Sequence, residues 1–128
     1  MKKNLKLLSI LLFISFFSSC SKDEINQNSE LLGVWERSDH SANSTNTYRL
    51  VFGPNNTGLR IHSNVFDSGE VISVATSFDW NLNDNKVRLS ENDIFEDIYL
   101  INSDGKQVLS TEDDLLLDKV SNDYSPYY

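Results

Sequence analysis

Short runs in which hydrophobic and polar residues alternate dominate the chain from Glu30 onward, and the three-and-four spacing of amphipathic helices is scarce. Alternation of this kind predicts β-strands that bury one face and expose the other. We expect about eight strands, because the two segments that meet at Thr76 can form one long bent strand. The predicted segments are Leu32 to Ser38, Thr47 to Phe52, Gly58 to Ser63, Glu70 to Thr76, Ser77 to Leu82, Lys86 to Ser90, Phe95 to Asn102, Lys106 to Ser110 and Asp114 to Val120.

Clusters of Gly, Pro, Asn, Asp and Ser separate the predicted strands. Such residues favour hairpin loops of about two to five residues, and loops that short make neighbouring strands antiparallel. A meander leaves two unpaired edges unless its first and last strands join. We therefore predict an all-β fold, a small antiparallel up-and-down barrel of about eight strands over residues 30–121, followed by a tail at residues 122–128. The turn clusters are Gly53 to Gly58, Asp67 to Gly69, Asn83 to Asn85 and Ser103 to Gly105.

The alternation also predicts which side chains face the barrel interior. In the third strand we expect Leu59 and Ile61 to face inward and Arg60 and His62 to face outward. On this interpretation every basic residue in these strands points to solvent. The other residues predicted to face inward are Tyr48, Leu50, Phe52, Phe78, Trp80, Leu82, Val87 and Leu89.

Three segments are ambiguous in this pattern. Between Ile94 and Ile101 both parities carry apolar residues, and we favour Ile98 and Leu100 as inward. Asn28 to Leu32 is a candidate for one helical turn. Thr111 to Lys119 begins like a helix capping box, but its three consecutive leucines favour a buried final strand.

The first 19 residues have the layout of a secretory signal peptide. Lysines precede a weakly polar to apolar run from Leu7 to Phe17, and two small serines follow it. The run is shorter than the roughly 18 to 20 apolar residues that span a bilayer, so a permanent transmembrane helix is the weaker interpretation. We therefore expect residues 1–19 to be removed on export.

The end of this leader, Phe17 to Cys20, resembles the lipobox of bacterial lipoproteins, with Phe where Leu is commoner. The resemblance implies cleavage before Cys20 and acylation of its thiol, so that acyl chains anchor the protein in a membrane. Cys20 is the only cysteine, so an internal disulfide is impossible and the other interpretation is a free cysteine. Residues 20–29 are otherwise polar and without periodicity, which is typical of a flexible tether.

Lys22, Asp23 and Glu24 lie close behind the cysteine and resemble the export tag of surface-exposed lipoproteins in some Gram-negative gut and oral bacteria. The resemblance implies a lipoprotein of the outer membrane that faces the cell exterior. The periplasmic face of that membrane is the alternative location.

The charge balance limits the partners of the protein. The chain has 11 Lys and Arg residues against 19 Asp and Glu residues, a net charge of −8. Three of the basic residues, Lys2, Lys3 and Lys6, belong to the leader, so its removal leaves 8 basic and 19 acidic residues, a net charge of −11. The negative electrostatic potential of such a domain repels phosphates, so we expect no nucleic-acid partner. The same charge favours a monomeric domain. Hydrophobic residues make up 39% of the chain, enough to build a core, which argues against disorder.

Gly33, Val34 and Trp35 match the G-x-W signature that opens the lipocalin barrel. The Tyr-Arg-Leu-Val-Phe strand, the Gly-Pro-Asn-Asn-Thr-Gly turn and the Phe-Asp-Trp-Asn-Leu strand that follow are similar to lipocalin-like domains of bacterial lipoproteins. The resemblance covers roughly Leu31 to Val120 and implies that Trp35 packs across the closed end of the barrel. The chain is shorter than a typical lipocalin, lacks the long C-terminal helix and offers no arginine clearly placed to stack on Trp35. The resemblance therefore bears on fold more than on ligand.

Candidate residues for catalysis or metal binding are sparse. His40 and His62 are separated by a strand and a turn, without a nucleophile pattern, and zinc needs three or four convergent ligands. Asp79, Asn81 and Asn83 have the spacing of the first ligands of a calcium loop, but the glycine and glutamate that such a loop requires are missing. We therefore expect no metal site, no cofactor and no enzymatic activity.

Two runs of acidic residues and an aromatic tail complete the candidates. The acidic runs are best explained as solvated surface, because adjacency in sequence does not create the separations that paired catalytic carboxylates need. The tail could plug the barrel mouth, stack on a sugar, contact a partner or fray. The acidic runs are Asp93, Glu96 and Asp97 and then Glu112, Asp113 and Asp114; the tail residues are Tyr124, Pro126, Tyr127 and Tyr128.

These patterns favour a lipid-anchored binding module. We expect a small apolar ligand in the barrel mouth, lined by Tyr48, Phe52, Phe78 and Trp80, with ordinary core packing as the alternative role of these aromatic residues. The rival function is a packed barrel that binds a protein or a glycan as an adhesin, an inhibitor or an uptake-complex subunit. In that case the loop Asp39 to Asn46 and the tyrosine tail carry the contact.

Overall fold

The computed structural model describes residues 27–128, in which eight antiparallel strands close into a barrel. The predicted leader, the predicted lipidation site Cys20 and the predicted export tag lie outside the described residues. A short helix and two 3₁₀ turns accompany the strands. The elements are α1 (Gln27–Leu31), β1 (Gly33–His40), β2 (Ser44–Phe52), a 3₁₀ turn (Pro54–Asn56), β3 (Thr57–Phe66), β4 (Val71–Asn83), β5 (Lys86–Glu91), β6 (Phe95–Ile101), β7 (Gln107–Ser110), β8 (Leu116–Ser121) and a second 3₁₀ turn (Ser125–Tyr127).

Each strand pairs with the next, and β8 closes the barrel on β1, which confirms the predicted fold class. The two segments predicted to meet at Thr76 form the single strand β4. The short turns use the residues that tolerate positive φ, such as Asp84 at 55° and Gly105 at 68°. Residues 27–29, which we assigned to the tether, belong to α1, as the alternative prediction of a helical turn from Asn28 indicated.

An aromatic cluster fills one half of the barrel interior. The Phe52 ring makes edge-to-face contacts with Trp35, Phe78 and Trp80 at centroid distances of 6.5, 5.5 and 5.8 Å. Leu31 of α1 is fully buried in the same cluster, and the Trp35 indole N–H donates to the Leu31 carbonyl oxygen over 2.8 Å. The helix therefore closes this end of the barrel, which we name the closed end; the opposite end is the mouth.

The prediction that Leu59 and Ile61 face inward is wrong. Arg60 of β3 pairs with the fully buried Leu50 of β2, and directly paired residues project from the same face of a sheet. Arg60 and His62 therefore face the interior, so the expectation that every basic strand residue faces solvent is also wrong. The register needs Gly58, because a Cβ there would lie 2.2 Å from the Phe78 ring.

The prediction that Ile98 and Leu100 face inward is wrong as well. Tyr99 of β6 pairs with the buried Val87 of β5, and Tyr99 is 2% exposed. The odd-numbered residues of β6, among them Asp97 and Tyr99, therefore face inward. Both are polar residues, which hydrophobic patterning assigns to the surface. Both find partners inside the barrel.

The barrel wall is taller on one side than on the other. Strands β1 to β4, here named the tall wall, have 8, 9, 10 and 13 residues, whereas β5 to β8 have 6, 7, 4 and 6. β4 pairs with β5 only from Asp79 to Asn83. Its first part, Val71 to Phe78, rises beyond β5 and pairs with β3 alone among the described strands.

The C-terminal tail packs against the outside of the barrel at its closed end. The Tyr128 hydroxyl donates to the Thr57 carbonyl oxygen over 3.1 Å, and the Arg49 guanidinium lies 5.9 Å from the centre of the Tyr127 ring. Val34 and Val51 face outward by register yet are 4% and 0% exposed. The tail covers this part of the wall, so it neither frays nor plugs the mouth.

Candidate functional site

A layer of polar side chains crosses the barrel between the aromatic cluster and the mouth. Tyr48 of β2 and Tyr99 of β6 face each other, and their hydroxyl oxygens are 2.9 Å apart in a hydrogen bond. We name the crossing layer as the set of Tyr48, Arg60, Glu91, Asp97 and Tyr99. It separates the buried aromatic cluster from the open mouth.

Arg60 is the centre of the crossing layer. Its guanidinium forms ion pairs with Glu91, at 2.7 Å, and with Asp97. The side chains of Arg60 and Asp97 are each 15% exposed and that of Glu91 is 19% exposed. Water is therefore largely excluded from these ion pairs, so loss of one partner leaves a costly charge on the other.

Burial and charge keep the tyrosines of the layer protonated. Desolvation by burial raises the pKa of Tyr48 above its ordinary value, although the hydrogen bond to Tyr99 opposes the shift. Burial raises the pKa of Tyr99 further, and the neighbouring Tyr48 adds to the shift. Both hydroxyls are therefore neutral hydrogen-bonding groups near pH 7, and neither is poised as a base.

His62 projects from β3 next to the layer. Its ring meets the Tyr48 ring edge to face at a centroid distance of 4.5 Å. Partial desolvation lowers the pKa of His62 and the positive Arg60 lowers it further, so the imidazole is neutral at pH 7. The two rings are perpendicular to each other and together form an aromatic corner at the mouth.

An open cleft of about 570 Å³ lies above the crossing layer. One cation, Arg60, and three carboxylates line it, so the cleft is negative by two charges when His62 is neutral. We name it the mouth cleft. Its lining residues are Tyr48, Arg60, His62, Asp97, Tyr99, Glu112, Asp113 and Leu115.

The turn between β7 and β8 presents the carboxylates of Glu112 and Asp113. The Ser110 hydroxyl accepts hydrogen bonds from the backbone N–H groups of both residues, each over 3.3 Å. Ser110 itself is 4% exposed. A buried serine thus holds the acidic turn at the mouth.

A smaller groove of about 200 Å³ continues the mouth cleft along the tall wall. The two share Tyr48 and His62. Ile72 and Val74 add apolar surface to the groove, and the buried Oδ1 atom of Asn64 accepts no hydrogen bond from the described residues. A bound molecule in the cleft could extend into this groove.

The structure separates the four aromatic residues expected to line a ligand site. Tyr48 lines the mouth cleft, whereas Phe52, Phe78 and Trp80 are 0%, 3% and 4% exposed and belong to the packed core. The Trp80 indole N–H donates to the Thr57 carbonyl oxygen over 2.9 Å, which ties the ring to the closed end. The core role that we kept as the alternative applies to these three residues.

The signature residues Gly33 and Trp35 lie at the closed end. Gly33 has a φ of 133°, and a Cβ there would lie 2.3 Å from the Ser121 carbonyl oxygen. The Lys119 ammonium lies 5.3 Å from the centre of the Trp35 ring and donates to the Glu30 carbonyl oxygen. Lysine rather than arginine thus supplies the cation next to the tryptophan.

The remaining sequence candidates are dispersed over the surface. His40 contacts the Thr45 hydroxyl over 3.0 Å at the first hairpin, away from His62. Among residues 27–128 no group of three or more His, Cys, Asp or Glu side chains is arranged to hold a metal ion. The loop Asp39 to Asn46 lies at the mouth and the tyrosine tail at the closed end, so they do not form one contact surface.

Sequence reasoning missed Arg60 and Tyr99 as site residues, and its explanation of Asp97 as solvated surface is wrong, because the Asp97 side chain is 15% exposed and paired with Arg60. The signal available was the charge of Arg60 between two apolar neighbours, which is also typical of an ordinary amphipathic strand. The contact between β3 and β6 joins residues 37 positions apart, and periodicity cannot predict it.

No helix within the described part of the chain is long and apolar enough to cross a membrane. Comparisons of the chain with models of protein families, with curated proteins and with solved structures found no match.

Proposed function

We propose that this protein is a lipid-anchored binding module of the cell envelope whose mouth cleft holds a small organic cation with an apolar body. The observation that carries the proposal is the composition of the mouth cleft, where three carboxylates meet one guanidinium that is already paired. A positive ligand group offsets the remaining negative charge, whereas an anion meets repulsion.

The walls of the cleft suit the rest of such a ligand. The edge-to-face pair of Tyr48 and His62 offers an aromatic surface, and Leu115 adds an apolar contact. The Tyr48 and Tyr99 hydroxyls can exchange their mutual hydrogen bond for one to the ligand. A cation that stacks on these rings also gains a cation–π contribution.

The packed core supports binding at the mouth rather than in the barrel centre. Phe52, Phe78 and Trp80 occupy the interior that a buried apolar ligand would need. Eight-stranded barrels have an interior that side chains can just fill. The proposed ligand is therefore polar at one end and only partly buried.

The position of α1 supports an anchored orientation. The helix enters the barrel at the closed end, so a tether from an acylated Cys20 joins the protein on the side opposite the mouth cleft. Gln27 lies seven positions after Cys20, and a chain of that length spans at most about 25 Å. The anchor would hold the closed end near the membrane and direct the mouth away from it.

Titration calorimetry with two matched probes tests the ligand proposal. The full chain, solubilised in a nonionic detergent, should bind phenethylammonium with a Kd below about 1 mM and should bind phenylacetate at least tenfold more weakly. The double variant Glu112→Gln/Asp113→Asn should lose most of the affinity for the amine. Asp84→Asn/Asp104→Asn removes the same charge at the closed end and should bind like the wild type. Equal affinity for the amine and the acid would contradict the proposal.

The anchor is tested separately in cells. Cys20→Ala should accumulate uncleaved precursor, and normal processing would reject lipidation. Replacement of Lys22, Asp23 and Glu24 by Ala should reduce surface labelling of intact cells. Unchanged labelling would leave the periplasmic orientation as the better account.

A further inference from the structure

The upper part of β4 is a strand edge with no strand on its open side among the described residues. Val71 to Phe78 pairs with β3 on one side, and pairing with β5 starts only at Asp79. Every residue from Val71 to Ser77 is exposed. We name Val71 to Phe78 the open edge.

The composition of the open edge is unusual for an exposed strand. It contains no charged residue and no proline, and Val71, Ile72 and Val74 are 60%, 51% and 62% exposed. Exposed edges are ordinarily protected by charges, proline or shortness, because free N–H and C=O groups attract other strands.

The other free edge of the tall wall provides an internal comparison. β1 pairs with β8 only from Val34 to Glu36, which leaves Arg37 to His40 paired with β2 alone. That stretch is short and carries Arg37, Asp39 and His40. The free edge of β1 is thus protected in the usual way, whereas the open edge of β4 is not.

Backbone geometry shows which groups of the open edge are available. The Phe66 N–H donates to the Glu70 carbonyl oxygen, so Phe66 and Glu70 form a hydrogen-bonded pair at the β3–β4 hairpin. Alternation along an antiparallel ladder then makes Ile61 and Ala75 a non-hydrogen-bonded pair. The N–H and C=O of Ala75 and of every second residue therefore point to the open side.

Charge at the two ends of the open edge indicates what covers it. Glu70 precedes the edge and Asp79 follows it. If two copies of the chain paired along the whole edge about a two-fold axis, Glu70 of each copy would lie within one residue of Asp79 of the other. Like charges this close together repel each other, and the net charge of −8 adds repulsion between copies.

We propose that the open edge binds an extended segment of a partner protein, with β-branched or small residues in its middle and Lys or Arg at both ends. The segment would add a strand to the tall wall through main-chain hydrogen bonds. Its basic ends would pair with Glu70 and Asp79, and its apolar side chains would cover Ile72 and Val74. No residue of the open edge lines the mouth cleft itself, although Ile72 and Val74 also line the groove that continues it.

A synthetic peptide tests this assignment. The probe is Lys-Thr-Val-Ser-Val-Thr-Val-Ser-Thr-Lys with an N-terminal fluorescein, and its control has Glu at both ends. Fluorescence anisotropy with the detergent-solubilised full chain should show saturable binding of the Lys-ended peptide and at least tenfold weaker binding of the control. Hydrogen exchange should slow at Val71 to Phe78 when the Lys-ended peptide is present.

Two matched variants locate the binding. Ala75→Pro removes an N–H that points to the open side and leaves the ladder to β3 intact, so it should weaken peptide binding at least tenfold. Ala75→Thr keeps the N–H and should bind within twofold of the wild type. The charge reversal Glu70→Lys/Asp79→Lys should exchange the preference, so that the Glu-ended peptide binds better.

The outcomes separate this proposal from the ligand proposal. Absence of peptide binding, or binding that Ala75→Pro leaves unchanged, would overturn the assignment of the open edge. Sedimentation equilibrium that shows a wild-type dimer lost in Ala75→Pro would assign the edge to a second copy and overturn it as well. Amine binding by the Ala75→Pro variant should match the wild type, so failure of either proposal leaves the other standing.

Discussion

Arg60 of β3 and Asp97 of β6 form an ion pair across the barrel interior, directly above the aromatic core. Glu91 forms a second ion pair with the same guanidinium at 2.7 Å. One basic residue thus pairs with two largely buried carboxylates and holds three strands together at the base of the mouth cleft.

Removing the shared cation should cost more stability than removing one acid. Arg60→Met leaves Glu91 and Asp97 close together without a counter-charge, and we expect a loss of about 1 to 3 kcal/mol in the free energy of unfolding. Asp97→Asn leaves Arg60 paired with Glu91 and should cost less. Denaturant unfolding of both variants measures the difference, and a larger loss for Asp97→Asn would contradict this account of the layer.

The hydrogen bond between Tyr48 and Tyr99 should appear as a coupling energy. Tyr48→Phe and Tyr99→Phe each remove one hydroxyl, and each should destabilise the fold by about 0.5 to 1.5 kcal/mol. The double variant leaves no unpaired buried hydroxyl, so its loss should be less than the sum of the two single losses. Strict additivity would show that the two hydroxyls do not interact in solution.

His62 should make stability depend on pH between about 5 and 7. Desolvation and the positive Arg60 lower its pKa in the folded state, so the unfolded chain binds more protons than the folded chain in this window. Stability contributed by neutral His62 is therefore present above the unfolded-state pKa and is lost as the pH falls through the folded-state pKa. Compared with wild type, His62→Gln should show a shallower decline in thermal midpoint on acidification. An identical decline in both proteins would refute the assignment.

Gly58 should be intolerant of any side chain. A Cβ at this position lies 2.2 Å from the Phe78 ring and 2.7 Å from the Val51 carbonyl oxygen, with no positive φ involved. Gly58→Ala should therefore destabilise the fold by about 1 to 3 kcal/mol through overpacking. Gly58→Ala/Phe78→Leu should recover part of the loss, because the smaller side chain makes room. If the single variant keeps wild-type stability, the close contact between β3 and β4 is not real.

The turn residues and the strand alternation were sufficient to predict the barrel. Gly, Pro, Asn and Asp clusters mark short connections, and the parity of Leu50, Phe52 and Trp80 identifies the core face. These features are local, because a turn and a two-residue period depend on nearby residues only. The same local rules place the tail residues after the last strand but cannot predict where they pack.

Local patterns failed where polar side chains pair inside the barrel. In β3 the apolar residues Leu59 and Ile61 indicated the core face. Arg60 nevertheless faces inward, because Asp97 and Glu91 on the opposite side of the barrel form ion pairs with it. In β6 the inward Tyr99 is satisfied by Tyr48. A buried polar residue is stable only with its partner, and the partner is distant in sequence. The candidate site consists mainly of such residues, so the sequence predicted the barrel better than the site.

Backbone amide shift mapping by NMR tests the proposed function most directly. Phenethylammonium titrated into the isotope-labelled full chain should shift amide resonances at the mouth, near Tyr48, Tyr99 and Leu115, and leave those near Trp35 and Lys119 unchanged. Shifts confined to the closed end, or no shifts at all, would contradict a mouth cleft that binds organic cations.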